Sequence, residues 1–200
     1  MPYVSPAERE VFVSRFNRVL AVLIWAAAAA LTIGLLFSVH DARLLYIVPG
    51  ALFAFVAWAM LWRPQLTVAD EGITVVNVTR TVRIPWEALI AVDTKYALTL
   101  YTPGRKIPVW AAPAPGTGST LRATRNETKG RIGRRAGLGA QQVAGAAAEV
   151  VRRRWGMLQD AGAIDAGRAD ETPVTVRWHL VELAVLVLLL AGTVAALLLA

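Results

Sequence analysis

Residues 19–39 hold no ionisable side chain over 21 positions, and after only four residues a second uncharged run fills 44–62. A helix needs about 20 apolar residues to cross the hydrocarbon core of a bilayer. Both runs therefore read as transmembrane helices, and a connection as short as 40–43 allows one arrangement, a tight hairpin with an external loop. The hairpin returns the chain to its side of origin, so the tail at 1–18 and the region after residue 62 share one compartment. A third uncharged run occupies 183–200, behind Trp178 and His179, and predicts a last transmembrane helix over 179–200. Glu182 falls in its first turns, where a carboxylate suits the positive end of the helix dipole. A cleaved signal peptide is the competing reading of the first run. It conflicts with Glu8 and Glu10 in the n-region, and the run exceeds the usual apolar core of about 7 to 15 residues.

Lysine and arginine set the orientation. The hairpin loop has one, Arg43, whereas the tail has Arg9, Arg15 and Arg18, and the chain after residue 62 opens with Arg63 and continues with Arg80 and Arg83. The expected location is the cytoplasmic (inner) membrane, multi-pass, with the region after residue 62 facing the cytoplasm. Composition agrees: 56% of residues are apolar, against roughly 45–50% in soluble domains. The chain has no cysteine, which excludes disulfides, thiol catalysis and zinc-thiolate sites. A net charge of +7 and a pI near 10.5 admit nucleic acid or an anionic membrane as partner.

Between 63 and 111 the pattern changes to strand-like alternation. Leu66/Val68, Val82/Ile84/Trp86, Tyr96/Leu98/Leu100 and Ile107/Val109 place apolar side chains two apart, on one face of a pleated strand. Asp70-Glu71-Gly72 and Pro103-Gly104 supply the turn chemistry between them. Five or six short strands in an antiparallel meander are predicted.

This is also where a family resemblance lies. Leu66-Thr67-Val68, Asp70-Glu71-Gly72-Ile73, the run from Arg80 through Ile84-Pro85-Trp86, and the run from Gly104 to Ala111 resemble the bacterial PH-like domain of the low-molecular-weight protein antigen 6 family. Those are small actinobacterial proteins, often with membrane helices. The resemblance covers about a quarter of the chain. It implies a bent antiparallel sheet closed by a C-terminal helix, and no catalytic residue to carry over.

Residues 112–139 mix Pro, Gly, Ser and Thr with Arg122, Arg125, Lys129, Arg131, Arg134 and Arg135 against a single acid, Glu127, and read as a basic flexible loop. From 140 to 158 helical periodicity returns: Val143, Ala147, Val150, Val151 and Leu158 share one face, which makes this amphipathic helix the candidate to cap the sheet. Arg154 falls on the apolar side, where snorkelling of its stem is the account the sequence offers. Residues 159–178 read as a linker.

Catalytic patterns are wanting. His40 and His179 flank different membrane helices on opposite sides, and the module has no Ser/His/acid set for acyl transfer. Asp70, Glu71, Glu87 and Asp93 fall at turns and strand ends and read as solvated surface. Pro115-Gly116-Thr117-Gly118-Ser119-Thr120 lacks the Gly-Lys-Ser/Thr ending of a phosphate loop, and Gly130-Arg131-Ile132-Gly133 lacks the helices that would flank a GxxG clamp.

The expected fold is membrane α+β: an N-terminal transmembrane helical hairpin, a PH-like antiparallel β module with a C-terminal helix, and a C-terminal transmembrane helix. The expected function is non-catalytic, without cofactor or metal: docking or scaffolding from the cytoplasmic face, in contact with anionic membrane lipid. Each Lys or Arg near an anionic leaflet gains roughly 1 kcal/mol. Helices already hold the chain at the membrane, so these charges would orient the module rather than recruit it. Candidate lipid or partner contacts are Arg80, Arg83, Lys95, Arg105 and Lys106 on the module and Arg122, Arg125, Lys129, Arg131, Arg134 and Arg135 after it. The alternative is an accessory subunit whose sheet edge or helix groove receives a strand or peptide of a membrane protein partner. Nucleic acid is disfavoured, because the basic loop has no aromatic residue to stack a base. A solvated loop that merely obeys the positive-inside bias is the bland reading. Ser119, Thr120, Thr124 and Thr128 would allow phosphorylation to weaken a membrane contact.

Overall fold

The computed structural model describes residues 9–38, 47–95, 97–113, 131–164 and 169–199. The chain forms two compact units: a sheet unit (Met1–Phe16 with Pro64–Arg177) and a helix unit (Asn17–Arg63 with Trp178–Ala200).

In the sheet unit β2 (Gln65–Ala69), β3 (Gly72–Val76) and β4 (Arg80–Ile84) form an antiparallel meander, with Leu66 opposite Val75 and Val75 opposite Val82. The period-two pattern puts Leu66, Val68, Ile73, Val75, Val82 and Ile84 on one face, each at most 1% exposed. A second antiparallel sheet is made of β5 (Ala91–Asp93), β6 (Ala97–Thr102) and β7 (Arg105–Pro113). Its Leu98, Leu100, Ile107 and Val109 join the same core. The alternation predicted for 63–111 is therefore realised as six antiparallel strands.

Two segments carry structure that the sequence reading did not assign. The tail at 1–18 contributes β1 (Glu10–Phe12), and the linker at 159–178 contributes β8 (Thr175–Trp178), so the first sheet runs β1-β2-β3-β4-β8. Strands of three and four residues are too short to show a period. Their pairing comes from the exposed edges of the meander, which template any extended neighbour.

The capping helix is also longer than expected. Residues 112 and 113 still belong to β7, and α3 runs Arg131–Asp160, so Arg131, Arg134 and Arg135 are helical rather than loop. Arginine, alanine and leucine are good helix formers and outweigh the three glycines of the first turns. Ala144, Ala147, Ala148 and Val151, at helical spacing, are buried in the core, with Val143, Val150, Trp155 and Leu158 packed around them. The helix thus closes the sheets, and burying Val151 alone is worth about 1.5–3 kcal/mol. Three successive arginines fasten its last turns: Arg152 Nη2 donates to the Val92 carbonyl at 3.0 Å, Arg153 lies 4.0 Å from Glu10, and Arg154 pairs with Asp70. Arg154, read above as a snorkelling misfit, is thereby explained by a carboxylate partner 84 residues away.

In the helix unit α1 (Arg15–Ser38) is followed, beyond the undescribed 39–46, by α2 (Ile47–Ala57), which continues as a π-helical turn through Trp58–Trp62. The last helix, α4, spans Leu180–Leu199. Trp25 donates to the Ala54 carbonyl at 2.9 Å and its ring lies 5.2 Å from that of Trp62, while Thr32 faces Gly50. Partners that fall in number on α1 as they rise on α2 make the pair antiparallel. Val48 faces Gly192, and Arg63 meets Glu182, so α2 and α4 are antiparallel too. The ends of α1, α2 and α4 that continue into strands therefore gather at one end of this unit.

Two of these helices, over Arg15–Leu35 and Leu180–Leu198, are long and apolar enough to cross a membrane, with only 6% of each apolar window buried. A core helix of a soluble protein would be mostly buried; here Phe37 is 82% and Leu198 81% exposed. The described part of the second predicted span, Ile47–Trp62, is shorter. The first helix starts at Arg15, inside the segment read as tail; the last starts at Leu180, one residue after the 179 expected.

Candidate functional site

Alternation within β4 decides which basic residues can act together. Arg80, Val82 and Ile84 share the core-side parity, whereas Thr81 and Arg83 point to the opposite face. Arg80 and Arg83, grouped by the sequence reading, are therefore separated.

Two turns prepare Arg80 and its neighbours. Asn77, 4% exposed, follows β3: its backbone N–H donates to the Arg80 carbonyl at 2.9 Å, and its side chain reaches the second sheet. There Nδ2 donates to the Pro108 carbonyl at 2.8 Å and Oδ1 accepts from the Trp110 N–H at 3.0 Å. The backbone N–H of this one buried residue thus sets the β3–β4 turn while its side-chain amide clasps β7. The β6–β7 turn uses Gly104 at φ +67°, a conformation glycine adopts without a steric penalty, and delivers Arg105 and Lys106 directly after it. The Thr102 hydroxyl donates to the Arg105 carbonyl at 3.4 Å, and the Lys106 ammonium stands 5.5 Å over the Tyr101 ring.

These elements enclose a hollow of about 300 Å³ lined by Arg80, Arg105 and Lys106 around Val82, Ile107 and Val176. Among the described residues three cations line it and no carboxylate does. Such an arrangement can receive an anionic group at the rim while an apolar portion lies against the valines and isoleucine, and arginine offers paired donors to phosphate or carboxylate.

The other predicted contacts fall elsewhere. Arg83 lines a separate hollow on the outer face of the first sheet, together with Arg9. Lys95 occupies the β5–β6 connection, its backbone N–H bonded to Asp93 Oδ1 at 2.9 Å. Arg122, Arg125 and Lys129 lie outside the described residues, as do the phosphorylation candidates Ser119, Thr120, Thr124 and Thr128. Arg131, Arg134 and Arg135 are placed as the first turns of α3 by backbone only. Sequence reasoning missed Asn77 and Val176. A lone Asn beside Val78 carries no spacing signal, and Val176 required recognition of β8.

Two antiparallel sheets closed by a C-terminal helix define the sheet unit as PH-like. Residues 63–154 match the family described as Bacterial PH domain, which supports a bacterial PH-like domain over that range. No curated protein and no solved structure matches the chain. The matched range ends at Arg154, the partner of Asp70, and leaves β1 and β8 outside it.

Proposed function

We propose that the chain is a non-catalytic integral membrane protein, related to the low-molecular-weight protein antigen 6 family, that displays its PH-like unit to the cytoplasm as a docking module. The hollow of Arg80, Arg105 and Lys106 is its contact with anionic lipid headgroups. The observation that carries this reading is the convergence of three cations from two turns, with no acid among the described lining residues. At roughly 1 kcal/mol per basic residue near an anionic leaflet, three give about a hundredfold preference for a docked orientation. Membrane-crossing α1 and α4, compatible with their length and exposure, hold the unit beside that surface.

The test uses the full-length protein in nanodiscs. The chain lacks cysteine, so a Pro103→Cys variant carries a single spin label at the β6–β7 turn, and its proximity to headgroup-labelled lipid is measured. The label approaches the headgroups in anionic discs and withdraws in neutral ones. Replacing Arg80, Arg105 and Lys106 together by Gln abolishes the difference. Equal proximity in both discs would remove the lipid contact and favour a protein partner.

A further inference from the structure

The outer face of the first sheet carries a second hollow, of about 570 Å³, on the opposite side of β4 from Arg80. The strand register explains its shape. Thr67, Thr74 and Arg83 stand opposite one another across β2, β3 and β4, a row spaced by one strand separation of about 4.8 Å. The next outward row has the small Ala69 and Gly72, with Pro85 beside them just past β4, and leaves a depression. Gly72 cannot fill it, since at φ +139° an added Cβ would stand 2.3 Å from the Ile84 carbonyl oxygen. Arg9, just before β1, borders the depression from one side, Arg83 and Thr175 from the other, and the Asp70-Glu71 turn closes its end. Thr67 is 4% exposed although it lies on this outer face, and its hydroxyl has no hydrogen-bond partner among the described residues.

The charges are balanced and separated by kind. Arg9 and Arg83 face Asp70 and Glu71, and Asp70 is already paired with Arg154. A plain anion would meet Glu71 as a like charge, and a plain cation would meet two guanidinium groups. A ligand with both charges meets neither penalty. Two guanidinium groups and the threonine hydroxyls come from different segments of the sheet and its border, which suits the tetrahedral oxygens of phosphate better than a flat carboxylate.

We infer that this hollow binds a phosphate–ammonium zwitterion of the phosphoethanolamine type, with the phosphate between Arg9 and Arg83 over Thr74 and the ammonium at Glu71. The inference is independent of the basic hollow, which lies on the other face of β4. Such a group occurs free and as a lipid headgroup, and the experiment separates the two.

Full-length protein in detergent is titrated with phosphoethanolamine, inorganic phosphate and ethanolamine, each followed calorimetrically. Phosphoethanolamine binds at least tenfold more tightly than either fragment. Glu71→Gln erases the advantage over inorganic phosphate, and Arg83→Gln weakens phosphoethanolamine at least tenfold. Repeating the titration in nanodiscs with and without phosphatidylethanolamine assigns the source: a weaker apparent affinity in its presence makes the lipid the ligand, and an unchanged one makes it the soluble compound. Equal binding of phosphoethanolamine and inorganic phosphate, an unaffected Glu71→Gln variant, or no binding of phosphoethanolamine would overturn the inference.

Discussion

Arg63 Nη2 lies 2.6 Å from Glu182 Oε1, joining the turn that ends α2 to the first turn of α4. The same guanidinium reaches His179 Nδ1 through Nη1 at 3.0 Å and sits 5.2 Å over the Trp58 ring. Its partners occupy three sides of one planar group, an arrangement for which lysine is no substitute. Both side chains of the ion pair are largely sheltered, 20% and 27% exposed. A charge-assisted hydrogen bond of this kind is worth about 1.5–3 kcal/mol. Glu182→Gln is expected to lower the thermal midpoint of the full-length protein in mild detergent, and Arg63→Lys to lower it comparably. A double-mutant cycle between the two positions returns a coupling of at least about 1 kcal/mol.

Asn77 bonds to both the β3–β4 turn and β7. Asn77→Asp keeps the shape and one acceptor but turns the oxygen that replaces Nδ2 against the Pro108 carbonyl. A buried unsatisfied group costs about 1–3 kcal/mol, more when charged. The expected outcome is a larger loss of stability for Asp than for Ala. Burial against a carbonyl raises the carboxyl's pKa, so the Asp variant regains stability as the pH falls through that raised value, with the gain complete near the unfolded value of about 4. Chemical denaturation at two pH values checks this.

The two turn glycines differ in what an added methyl group would meet. At Gly72 it would collide with the Ile84 carbonyl oxygen, and the φ of +139° is outside the range of other residues; at Gly104, φ +67°, nothing lies within 4 Å. Gly104→Ala therefore costs only the left-handed backbone penalty of about 1–2 kcal/mol, whereas Gly72→Ala costs more and loosens the pairing of β3 with β4. Amide exchange of Val75 and Val82 reports the difference.

Gly50 in α2 is closed in by Thr32 of α1: a Cβ there would stand 2.2 Å from the threonine hydroxyl oxygen. Small residues at such crossings let membrane helices approach. Gly50→Leu is expected to force the pair apart, lowering the crosslinking yield between cysteines at Trp25 and Ala54 severalfold, while Gly34→Leu, where nothing lies within 4 Å, leaves it unchanged.

What the sequence made legible follows from range. The apolar runs behind α1 and α4 and the alternation of Leu66, Val68, Val82 and Ile84 are signals local in the chain, and both survive in the structure. The edge strands at Glu10–Phe12 and Thr175–Trp178 were illegible because their order comes from pairing with β2 and β4 rather than from their own three or four residues. Arg154 was misread because its partner, Asp70, is distant in sequence. The division of Arg80 from Arg83 was legible all along: an interval of three reverses the face of a strand, and only counting the two as one charge cluster concealed it. That Arg105 and Lys106 meet Arg80 needed the second sheet.

The docking account requires the sheet unit to lie on the cytoplasmic side, since the anionic leaflet is there. The most direct measurement is labelling of a Lys95→Cys variant, exposed between β5 and β6, in intact cells with a thiol reagent that cannot cross the bilayer. The account predicts no labelling until the membrane is permeabilised, and full labelling afterwards. Labelling of intact cells at the rate seen after permeabilisation would place the unit outside and contradict it.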